Sequence, residues 1–337
     1  MHIPENYLSP STCGAMGVVM IPVWVHAARE VRRTVPREKM QLLGVAAAFC
    51  FLAMMFNVPV PGGTTGHAVC GTLVAILFGP WAAVISISVA VVVQALFFGD
   101  GGVLAIGANC FNMAFVLPFV GFGAYRLVCG LAKHDGSARE LVAAGVGSYL
   151  GINAAALCAA IELGVQPLLF SDAAGNALYC PYPLWVSIPT MLAAHLTVCG
   201  AAEIVFTVGI LAFVRRVTPS FGLSDMTGQQ GQGNVEKESL FPVGALLASL
   251  IAVCPLGLLA AGDAWGEWAA DDLGEMVGYV PSGMSGGWEW TALFPDYTFG
   301  ALPDWVGYIL SAVIGVALLV IVFRLVAAAV KPKAQFV

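Results

Sequence analysis

Residues 80–98 read Pro80-Trp-Ala-Ala-Val-Ile-Ser-Ile-Ser-Val-Ala-Val-Val-Val-Gln-Ala-Leu-Phe-Phe98 and contain no charged side chain. About 20 apolar residues are enough for an α-helix to cross the hydrocarbon core of a bilayer. The whole chain has the same character, with 10% charged and 59% hydrophobic residues among 337. An ordinary soluble domain carries roughly 25% charged residues. The composition therefore excludes a soluble domain and predicts an all-α polytopic membrane protein.

Other apolar runs predict further membrane crossings. They cover residues 10–27, 40–57, 66–79, 105–127, 140–163, 183–214, 241–261 and 304–330. The run at 66–79 is short, and Gly79-Pro80 after it is typical of a tight turn. It is either a crossing or a re-entrant or broken segment, which the membrane tolerates where protein or water surrounds the backbone.

The basic residues indicate the orientation. All 14 fall in a few clusters: Arg29, Arg32, Arg33, Arg37, Lys39, Arg126, Lys133, Arg139, Arg215, Arg216, Lys237, Arg324, Lys331 and Lys333. With the N-terminus outside, every cluster is cytoplasmic, as the bias of Lys and Arg towards inner loops requires. We therefore predict an inner (plasma) membrane protein with an extracytoplasmic N-terminus and a cytoplasmic C-terminus.

A polar, Gly- and Gln-rich stretch at 217–240 is typical of a linker. It predicts a seven-crossing unit at 1–216 and a two-crossing extension at 241–337. The extension contains an outer loop, 262–303, that is rich in Trp and acidic residues. Its Trp residues fit an interfacial belt, while its carboxylates fit a loop that attracts cations.

His2 follows a residue whose amine is expected to be free, because a large second residue should block removal of Met1. The N-terminus also lacks the basic region of a signal peptide. The amine, the deprotonated amide nitrogen of His2 and its ring Nδ1 can form two fused chelate rings. This arrangement places three nitrogens in a plane, and square-planar nitrogen sites favour Ni(II) or Cu(II).

A second histidine could supply the fourth ligand. His67 ends the turn-rich sequence Asn57-Val-Pro-Val-Pro-Gly-Gly-Thr-Thr-Gly-His67, on the predicted outer side. Its glycines allow close approach of the backbone. An exposed, disordered N-terminus remains the simple alternative for His2.

Further polar residues lie within or beside apolar spans. They are Gln94, Asp100, Asn109, Asn112, His195 and Glu203. Such residues are often functional, although helix capping and interhelical hydrogen bonds also explain them. His195 and Glu203 are about 80° apart around a helix and could both face the interior, on a metal path or as a structural pair.

Several other functions lack their motifs. The sequence contains neither His-Glu-x-x-His nor the phosphate-binding loop Gly-x-x-x-x-Gly-Lys-Ser/Thr. The nine cysteines are scattered singly, mostly in apolar runs, which favours packing over disulfides or metal thiolates. An intramembrane metalloenzyme is thus disfavoured, and any ATPase that drives transport must be another chain.

Five motifs together resemble the CbiM/NikM family, the substrate-binding components of energy-coupling factor transporters for cobalt and nickel. They are Met1-His-Ile-Pro-Glu5, Asn57-x-Pro-x-Pro-Gly-Gly-Thr-Thr-Gly-His67, Gly79-Pro-Trp81, Gln94-Ala-Leu-x-Phe-Gly-Asp-Gly-Gly102 and Gly107-Ala-Asn-x-x-Asn-Met113. A weaker similarity continues through His195, Gly200, Glu203 and Thr207. The resemblance implies a seven-helix unit whose N-terminus folds inward to bind the metal.

The same resemblance implies the ligands and the partners. Metal ligands would be the Met1 amine, the amide and ring nitrogens of His2, and His67, with Gln94, Asp100, Asn109 and Asn112 in support. The partners would be a transmembrane coupling component and two ATP-binding cassette ATPase subunits. The extension resembles a two-helix auxiliary component, although it departs from the Pro-Asp-Gly-Leu-Glu motif of one version.

The opening Met1-His-Ile-Pro-Glu-Asn-Tyr-Leu-Ser-Pro10 is similar to nickel-type members, so Ni(II) is the expected substrate. Co(II) can occupy the same ligands. A cobalt importer for cobalamin synthesis, or a membrane metal sensor that does not transport, remain the alternatives.

Overall fold

A computed structural model describes residues 1–61, 63–130, 138–218, 240–260 and 262–329, and it is almost entirely helical. The helices are α1 (Pro10–Thr34), α2 (Arg37–Met55), α3 (Gly71–Phe78), α4 (Pro80–Val93), α5 (Ile106–Asn109), α6 (Leu117–Cys129), α7 (Ala138–Gly164), α8 (Gln166–Leu169), α9 (Leu184–Ala194), α10 (Gly200–Val217), α11 (Phe241–Val253), α12 (Ala270–Val277), α13 (Ser282–Ser285) and α14 (Asp304–Ala329). Two short antiparallel strands, β1 (Val58–Val60) and β2 (Thr64–Gly66), form a hairpin before α3. The predicted all-α fold is confirmed.

Several consecutive helices form longer continuous helical segments that can cross a membrane. Within the described ranges, seven segments are long and apolar enough: Pro10–Thr34, Pro80–Phe98, Ile106–Cys129, Ala138–Leu169, Leu184–Val217, Phe241–Leu259 and Asp304–Ala329. Helix α2 adds a shorter apolar span, Lys39–Met55. The chain is a multi-pass membrane protein.

The segment at 66–79 is broken rather than one continuous helix. Helix α3 has eight residues, which span about 12 Å at 1.5 Å per residue, against roughly 30 Å of hydrocarbon. Gly79, with φ +88°, then turns the chain directly into α4. The Trp81 ring after this turn lies 4.4 Å from the His26 ring of α1. Helix α3 alone is therefore too short to cross the membrane.

Three of these long helical segments contain π-helical turns. They cover Gln94–Phe98, Cys110–Val116 and His195–Cys199. Such turns are rare and are found frequently at functional sites. Each one contains a polar residue that the sequence singled out: Gln94, Asn112 or His195. The turns locally change the face on which the following side chains lie.

The extension contains two long helical segments, α11 with its 3₁₀ continuation Cys254–Leu259, and α14. Helix α14 packs along α2, and the contact is close because Gly315 lies against the ring of Phe51. Tyr308 OH of α14 also donates to the carbonyl of Met55 at 2.8 Å. The extension is thus tied to the N-terminal unit along its length.

The predicted linker at 217–240 falls almost entirely on residues 219–239, which lie outside the described residues. Helix α10 ends at Val217, and α11 begins at Phe241. The basic residues Lys133, Lys237, Lys331 and Lys333 also lie outside the described ranges.

Candidate metal centre

The first nine residues run inward and are held by side chains of the bundle. Asn109, at the end of α5, accepts from Ile3 N at 2.7 Å and donates to Ile3 O at 3.0 Å. Gly102 N donates to the same carbonyl at 2.9 Å. Glu5 in turn accepts from the backbone N–H groups of Val103 and Leu104 at 2.6 and 3.2 Å. The N-terminal segment is therefore held in place directly after His2.

The glycines after Asp100 make this contact possible. A Cβ at Gly102 would lie 2.7 Å from Glu5 N and 2.8 Å from the carbonyl carbon of Pro4. At Gly101, where φ is +86°, a Cβ would lie 3.3 Å from the His2 ring. Only glycine allows the N-terminal segment to approach this closely.

His2 and His67 meet in the interior. His67 Nε2 lies 3.2 Å from His2 Nδ1, and the two rings are 5.0 Å apart. Both residues are buried, with 3% and 5% of their surfaces exposed. Adjacent corners of a square-planar site with metal–nitrogen bonds of about 2.0 Å are about 2.8 Å apart. The observed separation is close to that value.

The hydrogen bonding of His67 favours a ligand at Nε2. Its Nδ1 lies 3.2 Å from the carbonyl oxygen of Ala68, which can only accept a hydrogen bond. With the proton on Nδ1, Nε2 presents its lone pair towards His2. Burial holds the pKa of His67 well below its ordinary value, and the nearby amino terminus adds to this effect. The ring is therefore neutral at physiological pH.

Asp100 lies on the other side of His2. Its Oδ1 is 3.0 Å from His2 Nδ1, while its Oδ2 accepts from Gln94 Nε2 at 3.0 Å and from Tyr297 OH. Burial opposes ionisation of the carboxyl group, but the adjacent His2 and these donors keep the pKa of Asp100 below its ordinary value. A carboxylate thus lies beside the candidate ligands.

The Met1 amine completes the group. Met1 is a buried residue, and its amine forms an ion pair with Glu267 Oε1 at 3.2 Å. Glu267 belongs to the loop before α12, in the extension. Among the described residues, no cluster of three or more His, Cys, Asp or Glu side chains is arranged to hold a metal ion. A metal centre here would therefore need the nitrogens of the main chain.

A cavity of about 430 Å³ adjoins these residues. The N-terminal unit contributes His67 and Asp100 to its wall, and the extension contributes Asp263, Glu267, Asp296 and Tyr297. The side of the cavity formed by the extension is thus acidic. A cation beside His67 and Asp100 would lie between the two parts of the chain.

All four non-glycine residues with positive φ in the described ranges flank this region: Asn6, Cys70, Asp296 and Tyr297. Such conformations are strained for L-residues and persist where the surrounding structure holds them. Strain is thus concentrated around the buried N-terminus.

The remaining predicted residues have other partners. Asn112 donates to Glu162 Oε2 at 2.7 Å, away from His2. Glu203 Oε2 accepts from the backbone N–H groups of Val69 and Cys70, the two residues before α3. His195 Nδ1 lies 2.8 Å from the carbonyl oxygen of Met191. The structure thus brings together Met1, His2, His67, Gln94, Asp100 and Asn109 and gives the other three separate contacts.

Two residues at the site, Glu267 and Tyr297, were not predicted as site residues. The acidic loop and the sequence Phe294-Pro-Asp-Tyr-Thr298 were the available signals. Trp265 and Trp268 of the same loop pack against the ring of Tyr182, with centroids 5.4 and 5.9 Å away. These two indoles are therefore part of the packing between the loop and the bundle.

Known proteins are similar to both parts of this chain. Residues 2–221 match the family described as cobalt uptake substrate-specific transmembrane region, CbiM, and residues 239–332 match the PDGLE domain. The probable fused nickel transport protein LarMN of Lactiplantibacillus plantarum is 47% identical, over 96% of this chain and 97% of its own. The fused nickel transport protein NikMN of Rhodobacter capsulatus is 44% identical, over 95% of each chain.

A crystal structure of a truncated transition metal transporter is also similar. It is 52% identical and covers 64% of this chain and 99% of its own, with a TM-score of 0.60. The family match spans more than half of the sequence, and the similarity to the fused nickel transport proteins extends through the extension. The chain therefore belongs to the CbiM family of nickel and cobalt transport proteins, with a PDGLE domain joined after the membrane unit.

Proposed function

We propose that this chain captures Ni(II) outside the cell as the substrate-binding component of an ATP-driven uptake transporter. The metal is bound by the Met1 amine, the amide and Nδ1 nitrogens of His2, and Nε2 of His67. The observation that carries the proposal is the buried contact between His2 Nδ1 and His67 Nε2 at 3.2 Å, beside the amine of the buried residue Met1.

The connectivity of the ligands supports a planar site. The amine and amide nitrogens belong to one five-membered ring, and the amide and Nδ1 to one six-membered ring. The open corner then lies between the amine and Nδ1, opposite the amide. His67 Nε2 lies beside Nδ1, as a ligand in that corner should. Four nitrogens in a plane suit Ni(II).

The charges of the site are also suitable. Metal binding requires that the ligands lose their protons. An ammonium with a neutral amide carries one positive charge, and Ni(II) with a neutral amine and an amide anion carries one as well. Glu267 and Asp100, which lie beside Met1 and His2, can therefore balance the charge of the bound metal.

Transport requires further chains. A transmembrane coupling component and two ATP-binding cassette ATPase subunits would supply the driving force, and their action would open the bundle so that the ion leaves towards the cytoplasm. The extracytoplasmic N-terminus proposed here follows from the basic residues, which lie on the cytoplasmic side in that orientation.

Cobalt is the second candidate substrate. A cobalt transport protein CbiM from Moorella thermoacetica is 40% identical over 131 residues, half of its length. Co(II) accepts the same nitrogen ligands, and a cobalt importer would feed cobalamin synthesis. A membrane sensor that binds the metal without transporting it is the candidate from another class.

The test is nickel and cobalt binding to the purified chain with a free N-terminus. Variants with one Gly inserted between Met1 and His2, or with His67→Ala, should lose nickel binding. His26→Ala, which changes a histidine packed on Trp81, is the matched control and should bind as the parent does. Equal binding by the insertion variant would refute the N-terminal chelate, and tighter binding of cobalt would favour the cobalt importer.

A measurement of nickel uptake by cells distinguishes a transporter from a sensor that only binds the metal. Cells that express the chain with the coupling component and the ATPases should accumulate nickel, and those with a His67→Ala chain should not. Binding without any uptake would support the sensor.

A further inference from the structure

We propose that the outer loop of the PDGLE domain, residues 262–303, is part of the metal site and positions two of its groups. Glu267 holds the Met1 amine, and Tyr297 holds Asp100 beside His2. This inference rests on the proposed function, because the amine and His2 are ligands there. Neither residue is proposed to bind the metal itself.

The first contact fixes the amine. A chain terminus can rotate freely unless it is bound, and a buried ammonium needs a counter-charge. Glu267 Oε1 supplies it at 3.2 Å, while 24% of the Glu267 side chain remains exposed. A ligand that already lies in place loses less entropy when the metal binds.

The loop around Glu267 is itself anchored on both sides. Ala264 forms an isolated bridge with Thr65 of β2, and Thr64 Oγ1 donates to the carbonyl of Asp263 at 2.9 Å. After Glu267, the carbonyl of Trp268 accepts from Tyr7 OH at 2.7 Å. These bonds connect the loop to the hairpin before His67 and to the N-terminal segment, so Glu267 has a fixed position.

The second contact fixes the carboxylate beside His2. Tyr297 OH donates to Asp100 Oδ2, and Gln94 Nε2 donates to both of these oxygens at 3.0 Å. Oδ1 of Asp100 is then left facing His2 Nδ1 at 3.0 Å. The Tyr297 ring stacks on Phe98, with centroids 4.9 Å apart, which sets its direction.

The backbone at Tyr297 supports a dedicated role. Asp296 and Tyr297 both have positive φ, +53° and +59°, a conformation that favours glycine. Ser311 Oγ of α14 donates to the Tyr297 carbonyl at 3.1 Å and holds this turn. A strained turn of two non-glycine residues thus delivers the phenol to Asp100.

The consequence is a metal site that is complete only when both parts of the chain are together. The bundle supplies the ligands, and the loop supplies the groups that hold the amine and the carboxylate in place. Loss of either loop contact should weaken nickel binding while the bundle and its ligands stay intact.

The experiment uses the full chain in detergent and nickel ion as the probe. Nickel is titrated while the d–d absorption of planar Ni(II) is followed, and the metal-free protein is treated with an amine-reactive reagent. Glu267→Gln and Tyr297→Phe are compared with the parent. Glu275→Gln, on the exposed part of α12, and Tyr279→Phe, whose hydroxyl contacts Ala177 N, are the matched controls.

We expect Glu267→Gln to weaken nickel binding roughly 10- to 100-fold, as loss of a charge-assisted contact should, and to speed modification of the Met1 amine. Glu267→Asp, which keeps the charge, should recover part of both. Tyr297→Phe should weaken binding about fivefold to tenfold without faster amine modification. The two controls should match the parent.

Nickel binding and planar absorption equal to the parent in both Glu267→Gln and Tyr297→Phe would overturn the proposal, even with faster amine modification. Equal weakening in the controls would also overturn it, because the loop would then act only as general packing. Failure of the proposed function has a different signature: the Gly insertion and His67→Ala would leave nickel binding intact in a chain with an unchanged loop.

Discussion

His2 Nδ1 and His67 Nε2 lie 3.2 Å apart in the interior of the protein, although 65 residues separate them in the chain. The contact depends on two features of the sequence. The N-terminal segment must reach inward, and the β1–β2 hairpin must present the residue that follows Gly66. Both features can be changed without touching either histidine.

The Asn109 side chain fixes the N-terminal segment through the backbone of Ile3. Asn109→Ala should therefore leave His2 less well positioned. The variant loses two hydrogen bonds to Ile3, each with a net contribution of about 1 kcal/mol, and nickel affinity should fall roughly 30-fold. Isothermal titration of the purified protein measures the change. Asn153→Ala removes a buried side chain that bonds within α7 and should leave affinity unchanged; a similar loss there would contradict the assignment of Asn109.

Gly102 should tolerate no side chain. In Gly102→Ala the new Cβ would meet backbone atoms of Pro4 and Glu5 at less than 3 Å, and the N-terminal segment would have to move. We expect at least a tenfold loss of nickel affinity with a bundle that still folds. Gly123→Ala is the control, because nothing lies within 4 Å of its Cβ. Nickel binding by Gly102→Ala at the parental affinity would show that the segment can shift without loss of the site.

The proposed chelating nitrogens follow from the sequence because they are close together in the chain. A histidine at position 2 and its own backbone define three ligands by covalent geometry alone. The fold class could be predicted for a similar reason, since the length of each apolar run is compared with a fixed bilayer thickness. The sequence does not decide between a crossing and a broken segment at α3, because it shows only a short apolar run before Gly79-Pro80.

The choice among the supporting polar residues needed the structure. Asn109 and Asn112 are three residues apart and would lie about 60° from each other on an α-helix. The π-helical turn that begins at Cys110 changes this relation, and Asn112 contacts Glu162 instead of the N-terminal segment. Glu267 and Tyr297 could not be predicted, because their contacts with Met1 and Asp100 join residues that are 266 and 197 positions apart.

Nickel affinity should fall as the pH falls, with about two protons released for each metal bound. The amine and the amide each lose one, so affinity should change about 100-fold for each pH unit while the amine is protonated. The buried His67, whose pKa is lowered, remains neutral down to and below pH 6.5, and Asp100, whose pKa is also lowered, remains ionised. Neither residue therefore contributes to the dependence of nickel affinity on pH.

Titration in two buffers of different ionisation enthalpy counts the protons directly. A count near three in the range from pH 6.5 to 7.5 would mean that a group other than the amine and the amide also loses a proton, and a count near one would mean that the amide keeps its proton. Either result would contradict the release of two protons.

The proposed orientation can be measured with thiol reagents that do not cross the membrane. Ser171 lies in the loop that contacts Tyr7 through Cys180, at the end of the bundle where the N-terminal segment lies. Ser171→Cys should therefore react in intact cells. Arg32→Cys, at the other end of α1, should react only after the membrane is opened. Both positions are exposed, so the opposite labelling pattern would reverse the orientation.

Glu203 should stabilise the start of α3 rather than bind the metal. Its Oε2 accepts from Val69 N and Cys70 N at 2.7 and 3.0 Å, and a buried N–H without an acceptor costs about 1–3 kcal/mol. Glu203→Ala should thus lower the unfolding temperature in detergent by several degrees, with a smaller loss of nickel affinity than His67→Ala. In Glu203→Gln the amide oxygen can still accept, so most of the stability should return.

The two variants together separate a structural carboxylate from one on the metal path. If the role of Glu203 is structural, nickel uptake depends only on the stability of the fold. Glu203→Gln, which keeps most of that stability, should then transport nearly as well as the parent when the partner chains are present. A carboxylate that the ion contacts on its way inward acts through its charge, which Gln does not have. A Glu203→Gln chain with the parental unfolding temperature and parental nickel binding, but without uptake, would therefore assign Glu203 to the metal path.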